Sequence, residues 1–313
     1  MQTPICSIVI PTKNGGALFQ KVLDALTQQT LWDRTELIVV DSGSQDDTVA
    51  MAKQVGAKVI EILPHEFNHG VTRDFGISLT RSEYVILMVQ DAVPFNSNLL
   101  QVLLHSLKEA AVAGVYARQI PQPDADVLTK RNLNASLTGR TQREERFIPN
   151  EGWYDALPPM EKYFFCNFDN VCSAINKSVW RQECFGNVNF GEDVDWAKRV
   201  LMRGYKIVYE PLAVVIHSHN RPMSYEYKRT YVGHRKLYAL FGLHLVPSIK
   251  RIGLSWIYVS SADVIYILQH EHRLVQKIQM LFKAPILNLL SIFAQYQAVR
   301  DEIKGAPSSV KDV

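Results

Sequence analysis

The chain is predicted to be an α/β protein: a mostly parallel sheet flanked by helices, with a helical extension at the C-terminal end. Three observations predict it. Between residues 5 and 91, short β-rich apolar runs alternate with segments of helical period, the pattern of βαβ units joined by right-handed crossovers. These runs are continuously apolar rather than alternating, as strands buried on both faces are. Beyond residue 221 the pattern gives way to long helical stretches rich in aromatic and basic residues.

Each element follows in order. Residues 5–10 (ICSIVI) read as a buried strand ending at Pro11. Asn14-Gly15-Gly16 is a turn, and Ala17 to Gln29 places Leu18, Val22, Leu23 and Leu26 on one helical face. ELIVVD is a second strand that ends at Asp41, and SGSQDDT leads into a helix from Val49 to Val55. KVIEIL (58–63) is a third strand, Thr72–Thr80 a helix, and YVILMVQD a fourth strand with Asp91 at its exit. Ligands of such sheets bind beyond the carboxyl ends of the strands, where Pro11, Thr12, Asp41 and Asp91 fall. From Gln119 to about residue 165 the pattern dissolves into Pro, Asn and charged residues, which predicts a long loop over a site. Order returns at NFDNVCSAINKSVW. The expected organisation is a domain over 1–235, a basic helical region over 236–304 and a disordered tail over 305–313.

Composition sets mild limits. With 313 residues, 47% hydrophobic and 21% charged, the chain has room for one large domain and an appendage. Its four cysteines form no CxxC pair, so neither a zinc ribbon nor a disulfide framework is indicated, and a reducing cytoplasm is expected. The N-terminus enters a strand without a charged leader, so no secretory signal is expected. The triplets at Asn134 and Asn176 are then chance glycosylation matches. Net charge is +3, yet between Arg221 and Lys304 twelve basic residues face five acidic ones. That asymmetry points to an anionic partner, a membrane surface or a nucleic acid.

The densest segment runs from Phe190 to Asn220, FGEDVDWAKRVLMRGYKIVYEPLAVVIHSHN. It sets Glu192, Asp193 and Asp195 at the head of a helix that stops at Gly204, then an extended run, then His217 and His219. Asp193 is the candidate general base; the helix dipole is expected to lower its pKa. The plainer reading is that these acids simply favour a helix N-terminus. His217 and His219, two apart, share a side of a strand and can hold a metal with Asp91; satisfied structural histidines are the alternative. Asp91 at a strand exit suits a hard cation bridging phosphates, or is a turn residue before Pro94. Asp41 suits a nucleobase or ribose, or caps the next helix. Arg73, in the first turn of a helix, is placed for a phosphate or base, or is a solvated surface arginine. His65-Glu66-Phe67-Asn68-His69 spells HExxH, but Pro64 and Gly70 deny it the sustained helix a zinc peptidase needs. No GxGxxG follows the first strand and no GxxxxGK[ST] occurs, which removes the dinucleotide and P-loop readings.

Taken together, SIVIPTKNGG, IVVDSGSQDDT, HEFNHGVTRDFGI, MVQDAVP and the 190–220 segment resemble the inverting family 2 glycosyltransferases with the GT-A fold. The FNHG-x-x-R, QDA and HSHN elements look most like their bacterial rhamnosyltransferase branch. The resemblance covers roughly residues 4–235. It implies that Pro11, Thr12, Asn14 and Asp41 line the nucleoside pocket, that Arg73 contacts the base or diphosphate, and that Gln90 and Asp91 belong to the donor site. It makes Asp193 the catalytic base, Asp91 with His219 or His217 the metal ligands, and Trp153, Glu192 and Trp196 acceptor-side residues. The implied cofactor is Mg2+ or Mn2+. One departure stands out: Val89 occupies the first acid of the DxD motif, giving Val89-Gln90-Asp91 and fewer protein ligands for a metal.

The resemblance further implies transfer of a sugar, L-rhamnose from dTDP-L-rhamnose first among them, to a lipid-linked glycan of bacterial surface polysaccharide. Another UDP- or dTDP-hexose, or a non-catalytic sugar-binding module, are the alternatives. The stretches RIGLSWIYVSSADVIYIL and LFKAPILNLLSIFAQY carry Asp263, Lys283 and Pro285 and are read as too interrupted to span a bilayer. They are expected to lie on the cytoplasmic face of the inner membrane, with Trp256, Tyr258, Lys277 and Lys283 at the interface, or else to pack on the catalytic domain or form a homodimer. No nucleic-acid recognition motif accompanies the basic surplus.

Overall fold

The computed structural model describes residues 3–219 and 222–308. The chain opens with β1 (Cys6–Thr12), α1 (Gly16–Thr27), β2 (Thr35–Asp41), α2 (Thr48–Gln54), β3 (Lys58–Glu61), α3 (His69–Ser78) and β4 (Tyr84–Met88). It continues with β5 (Val93–Pro94), α4 (Leu99–Leu107), β6 (Val112–Ile120), α5 (Val127–Ala135), β7 (Glu144–Phe147), α6 (Glu151–Asp155) and α7 (Pro159–Cys166). Then come β8 (Cys172–Asn176), α8 (Lys177–Trp180), α9 (Glu192–Met202), β9 (Lys206–Ile216), α10 (Met223–Phe241), α11 (Ile249–His270) and α12 (Leu274–Ile303). The chain divides into two compact units. The first holds the residues up to Gln122 with Leu133–Leu157 and Phe164–His217; the second holds Pro123–Asn132, Pro158–Tyr163 and the residues from Ser218 on. Helix α10, inside which the expected boundary at 235 falls, belongs to the second unit.

The first unit is one sheet in the order β3-β2-β1-β4-β8-β6-β9-β5, with β7 also on β9. Strands β3, β2, β1 and β4 are parallel. Strand β8 is antiparallel to both β4 and β6, and β9 is parallel to β6. Strands β1, β2, β3, β4, β6 and β9 therefore all point one way, while β8, β5 and β7 run against them. The α/β expectation holds, and the sheet is mixed beyond β4. Its direction decides where chemistry gathers: the exits of β1, β2, β4, β6 and β9 and the start of β8 all lie along one edge, with Met88 paired to Cys172.

Burial explains the strands. Ile8, Val9, Ile10, Ile38, Val39 and Val40 are all inaccessible to solvent, so β1 and β2 are covered on both faces. Helix α1 lays Phe19, Val22, Leu23 and Leu26 against the sheet, and α4 does so with Leu99, Leu100, Leu103 and Leu104. Each such side chain contributes roughly 1.5–3 kcal/mol.

The expected loop over 119–165 is instead structured: it contains α5, β7, α6 and most of α7. Its polar composition misled because the charges are used internally. Arg146 on β7 is buried, donates to the Asn167 carbonyl at 2.8 Å and pairs with Glu144 at 2.7 Å. Asn150 caps α6 by accepting the Trp153 N–H at 2.9 Å.

In the second unit α12 packs on α10 and α11, with Tyr231 buried against Ala294 and Ala298 and its hydroxyl donating to Asp301 at 2.9 Å. Asp263 is buried in α11, where Arg131 and Asn288 bond its carboxylate at 2.5 and 2.8 Å. The interruption expected to bar a membrane span is therefore compensated. By length and composition both α11 and α12 can cross a membrane. Leu254, Ile257, Tyr258, Ile265 and Leu268 on α11 and Val275, Ile278, Phe282, Ile286 and Leu289 on α12 are exposed. Of the tail expected to be disordered, residues 309–313 lie outside the described residues.

Candidate active site

The exits of β1 and β2 are laced into one rim. Thr12 Oγ1 and Ser44 Oγ donate to Oδ2 of Asp41 at 2.8 and 2.5 Å, and the N–H groups of Gly43 and Ser44 donate to its Oδ1 at 3.0 and 2.8 Å. Asn14, at φ +49°, donates its N–H to Ser44 Oγ and accepts the Gln45 N–H on Oδ1, each at 2.8 Å. Gln90 grips the backbone of Lys13, accepting its N–H at 2.8 Å and donating to its carbonyl at 3.1 Å. Pro11, Thr12, Asn14, Asp41 and Gln90 thus share one locality. Asp41 is buried and builds the turn; a nucleobase N–H reaching it shares an oxygen with two hydroxyls.

The side that carries Asp193 is organised by α3. Asn68 caps the helix, accepting the N–H groups of Gly70 and Val71, and its amide also bonds Asn187 and Asn189. Gly70 donates to the Val188 carbonyl at 3.1 Å, and a Cβ at this position would stand 2.1 Å from the Gly186 carbonyl oxygen. Only glycine admits that approach. Asp74, one turn on, accepts from the Trp180 indole at 2.6 Å and from the N–H groups of Phe185 and Gly186 at 3.0 and 2.8 Å. The loop so held ends at Gly191, left-handed at φ +70°, and delivers α9 with its acids.

Arg73, expected at the base or diphosphate, is buried on α3 and pairs with Glu192 at 3.0 Å. It also donates to the His69 carbonyl at 3.2 Å, while its Nε is buried with no partner among the described residues. Glu192, expected on the acceptor side, is instead the buried partner of this pair and also accepts from the Asn170 amide at 3.2 Å. Burial pushes its carboxyl up, and Arg73, His69 and Asn170 together bring it below the usual carboxylate range. Trp196 does not face an acceptor either. It is fully buried among Phe168 and Phe185, its indole donating to the Glu183 carbonyl at 2.7 Å. The apolar face of α9 must supply the core, and one turn below Glu192 is on that face. Trp153 is partly exposed, edge-on to Phe165.

Asp193 is half-buried and accepts N–H bonds from Val194 at 2.8 Å and Asn170 at 3.3 Å. Burial, then the charges of Glu192 and Asp169, push its carboxyl well above the usual range. This corrects the sequence expectation: the helix dipole lowers a pKa, but desolvation and two like charges outweigh it here.

Asp91 follows β4, and His217 follows β9, with its Nε2 at 3.7 Å from Oδ1 of Asp91. The other ring nitrogen, Nδ1, lies 2.9 Å from Oε1 of Gln119 at the end of β6. Gln119 donates to Oδ2 of Asp169 at 2.8 Å, just ahead of β8. The contacts Asp91–His217–Gln119–Asp169 run along the strand-exit edge and lead to Asp193, on which the Asp169 charge acts. His219 opens the second unit, two residues along the chain from His217. A carboxylate oxygen beside an imidazole nitrogen is a donor set that fits Mn2+, and Mg2+ less readily. The HExxH spelling yields no metal site: His65 and Glu66 lie in a 3-10 turn and only His69 enters α3.

Gln119, Asp169, Asn170 and Asp74 were not singled out from sequence. Gln119 carries the strand-exit signal, but no strand was read at 112–120. Asp169 and Asn170 stand immediately before β8, whose antiparallel direction returns its start to the edge that the parallel strands leave.

With this geometry in view, the comparisons with known proteins are specific. Residues 7–178 match the model of "Glycosyl transferase family 2", and the chain belongs to that family. It is 32% identical to the O-antigen chain rhamnosyltransferase RfbN of Salmonella typhimurium over 71% of this chain and 69% of that protein. To WbaN of Salmonella anatum, of the same description, it is 33% identical over 72% and 70%. In structure it resembles the mannosyltransferase PcManGT of Pyrobaculum calidifontis, solved with GDP-Man and Mn2+, at a TM-score of 0.61 and 15% identity over 98% of this chain and 89% of that one. Glucosyl-3-phosphoglycerate synthase of Mycobacterium tuberculosis, solved with UDP, follows at a TM-score of 0.52 and 20% identity over 77% and 81%. The GT-A fold expected from the motifs is the fold observed.

Proposed function

We propose that this glycosyltransferase inverts configuration as it moves L-rhamnose from dTDP-L-rhamnose to a hydroxyl of a lipid-linked glycan, in building bacterial surface polysaccharide. The observation that carries the chemistry is Asp193: a carboxyl with raised proton affinity, on the same sheet edge as the Asp91–His217 pair. A general base works best when its pKa approaches the operating pH, and burial beside Glu192 and Asp169 moves Asp193 in that direction. In this reading Asp193 takes the proton of the acceptor hydroxyl as that oxygen attacks the anomeric carbon, and the nucleoside diphosphate leaves from the opposite face. Asp91 and His217, with His219 from the adjoining residues, would hold Mn2+ or Mg2+, and such an ion neutralises charge developing on the departing diphosphate. Pro11, Thr12, Asn14, Asp41 and Gln90 form the nucleoside rim, and Trp153 lies toward the acceptor.

The choice of rhamnose rests on the two Salmonella relatives, named O-antigen chain rhamnosyltransferases. The structural neighbours solved with GDP-Man or UDP-glucose make another hexose donor the alternative. A cytoplasmic setting, with α11 and α12 against the inner membrane, suits a lipid-linked acceptor; the exposed apolar residues of those helices equally suit a homodimer. A donor screen by nucleotide release, with and without Mn2+, tests the reading. Release with dTDP-L-rhamnose and a lipid-linked acceptor supports it; release only with another sugar replaces the donor, and none with any donor leaves a binding module.

A further inference from the structure

We propose that Gln119, braced by Asp169, is a positioning residue that holds His217 in a single tautomer and presents the lone pair of its Nε2 to Asp91. This rests on the metal role proposed for Asp91 and His217, but its first test needs no metal. The side-chain amide of Gln119 has only one sensible orientation. Its NH2 faces Oδ2 of Asp169 at 2.8 Å, since turning the amide over would set two oxygens against each other. The carbonyl oxygen Oε1 therefore faces Nδ1 of His217 at 2.9 Å. A carbonyl only accepts, so Nδ1 must carry the hydrogen. In the neutral ring the lone pair then sits on Nε2, which lies 3.7 Å from Oδ1 of Asp91, beyond hydrogen-bond range. The opposite tautomer would aim an N–H at that carboxylate and withdraw the imidazole as a metal ligand.

The three side chains are held by the sheet edge itself. Gln119 is buried, and its N–H donates to the Thr138 carbonyl at 2.8 Å. His217 is buried, and its N–H donates to the Ile120 carbonyl at 2.9 Å. The remaining oxygen of Asp169 accepts the Val171 N–H at 2.8 Å. Asp169 is thus shared: one carboxylate orients the imidazole through Gln119 and bears by its charge on Asp193.

The test uses the full chain with 15N-labelled histidine at pH 8, the His217 signals being assigned by their loss in His217→Asn. Long-range 1H–15N correlations are expected to show the Nδ1–H tautomer in the wild type. Gln119→Leu removes the acceptor opposite Nδ1 and should admit the Nε2–H form. In parallel, Mn2+ titrated by electron paramagnetic resonance with thymidine diphosphate present should bind Gln119→Leu about 10–100-fold more weakly, the usual effect of losing an outer-shell partner. An Nε2–H wild type, or a Gln119→Leu protein unchanged in both tautomer and Mn2+ affinity, overturns the proposal. If the tautomers behave as stated while the wild type binds no Mn2+, the metal reading falls and the positioning role stands.

Discussion

Asp41 and Asp193 are both acids beside the same sheet edge, and the protein treats them oppositely. Asp41 is surrounded by donors, four hydrogen bonds from Thr12, Gly43 and Ser44 occupying its two oxygens. Asp193 has two backbone N–H groups and two acidic neighbours, Glu192 and Asp169. A saturated carboxylate stores geometry, because its orientation is fixed and its charge is spent on the turn. A carboxylate crowded by like charge stores proton affinity. The difference separates a rim that shapes a pocket from a group able to carry out a reaction.

The sharpest break of this comparison is Asp193→Asn, which should lower kcat by roughly 10²–10⁴-fold while nucleotide affinity is kept. The same change should raise thermal stability at neutral pH. A carboxyl with a raised folded-state pKa contributes its full stabilisation below its unfolded pKa and loses that contribution as pH climbs through the folded value. The stabilisation of the Asn variant should therefore fade toward acid pH, which melting curves across pH will show. Next in size is Arg73→Ala, which strands buried Glu192 without its counter-charge and should cost about 3–5 kcal/mol in denaturant unfolding. Asp41→Ala should cost less, about 1–3 kcal/mol, by leaving buried donors of the rim unmatched, with the kinetic damage appearing in donor KM. Asp169→Asn removes one of the charges that raise Asp193, so the acid limb of the kcat/KM profile should move to lower pH. Smallest is Phe282→Ser on exposed α12, expected to leave activity on a soluble acceptor unchanged and to reduce flotation with anionic vesicles. Undiminished flotation would favour the dimer.

Much of the first unit was legible because buried parallel strands leave uninterrupted apolar runs, as ICSIVI and ELIVV do, and because Asp41 and Asp91 close such runs. The start of α9 was legible from three acids crowded after a glycine. What sequence could not give was pairing across long separations. Nothing local marks Arg73 as the partner of Glu192, 119 positions later, nor Gln119 as the partner of His217. The resemblance implies an acceptor-side role for Trp196, whereas the helical period sets it in the core. The 119–165 region read as a loop because its charges satisfy each other, as Arg146 and Glu144 do, rather than facing water.

The grip of α3 on the residues before α9 has a practical consequence for engineering. Asn68, Gly70, Arg73 and Asp74 fix the Asp193-bearing helix from a position far upstream in the chain. The stretch between β6 and Phe164 is not part of that clamp. If Asp193 accepts the proton as proposed, chimaeras that exchange this stretch between related transferases should keep its geometry while altering which hydroxyl is presented to it, so that regioselectivity and catalytic competence can be varied separately.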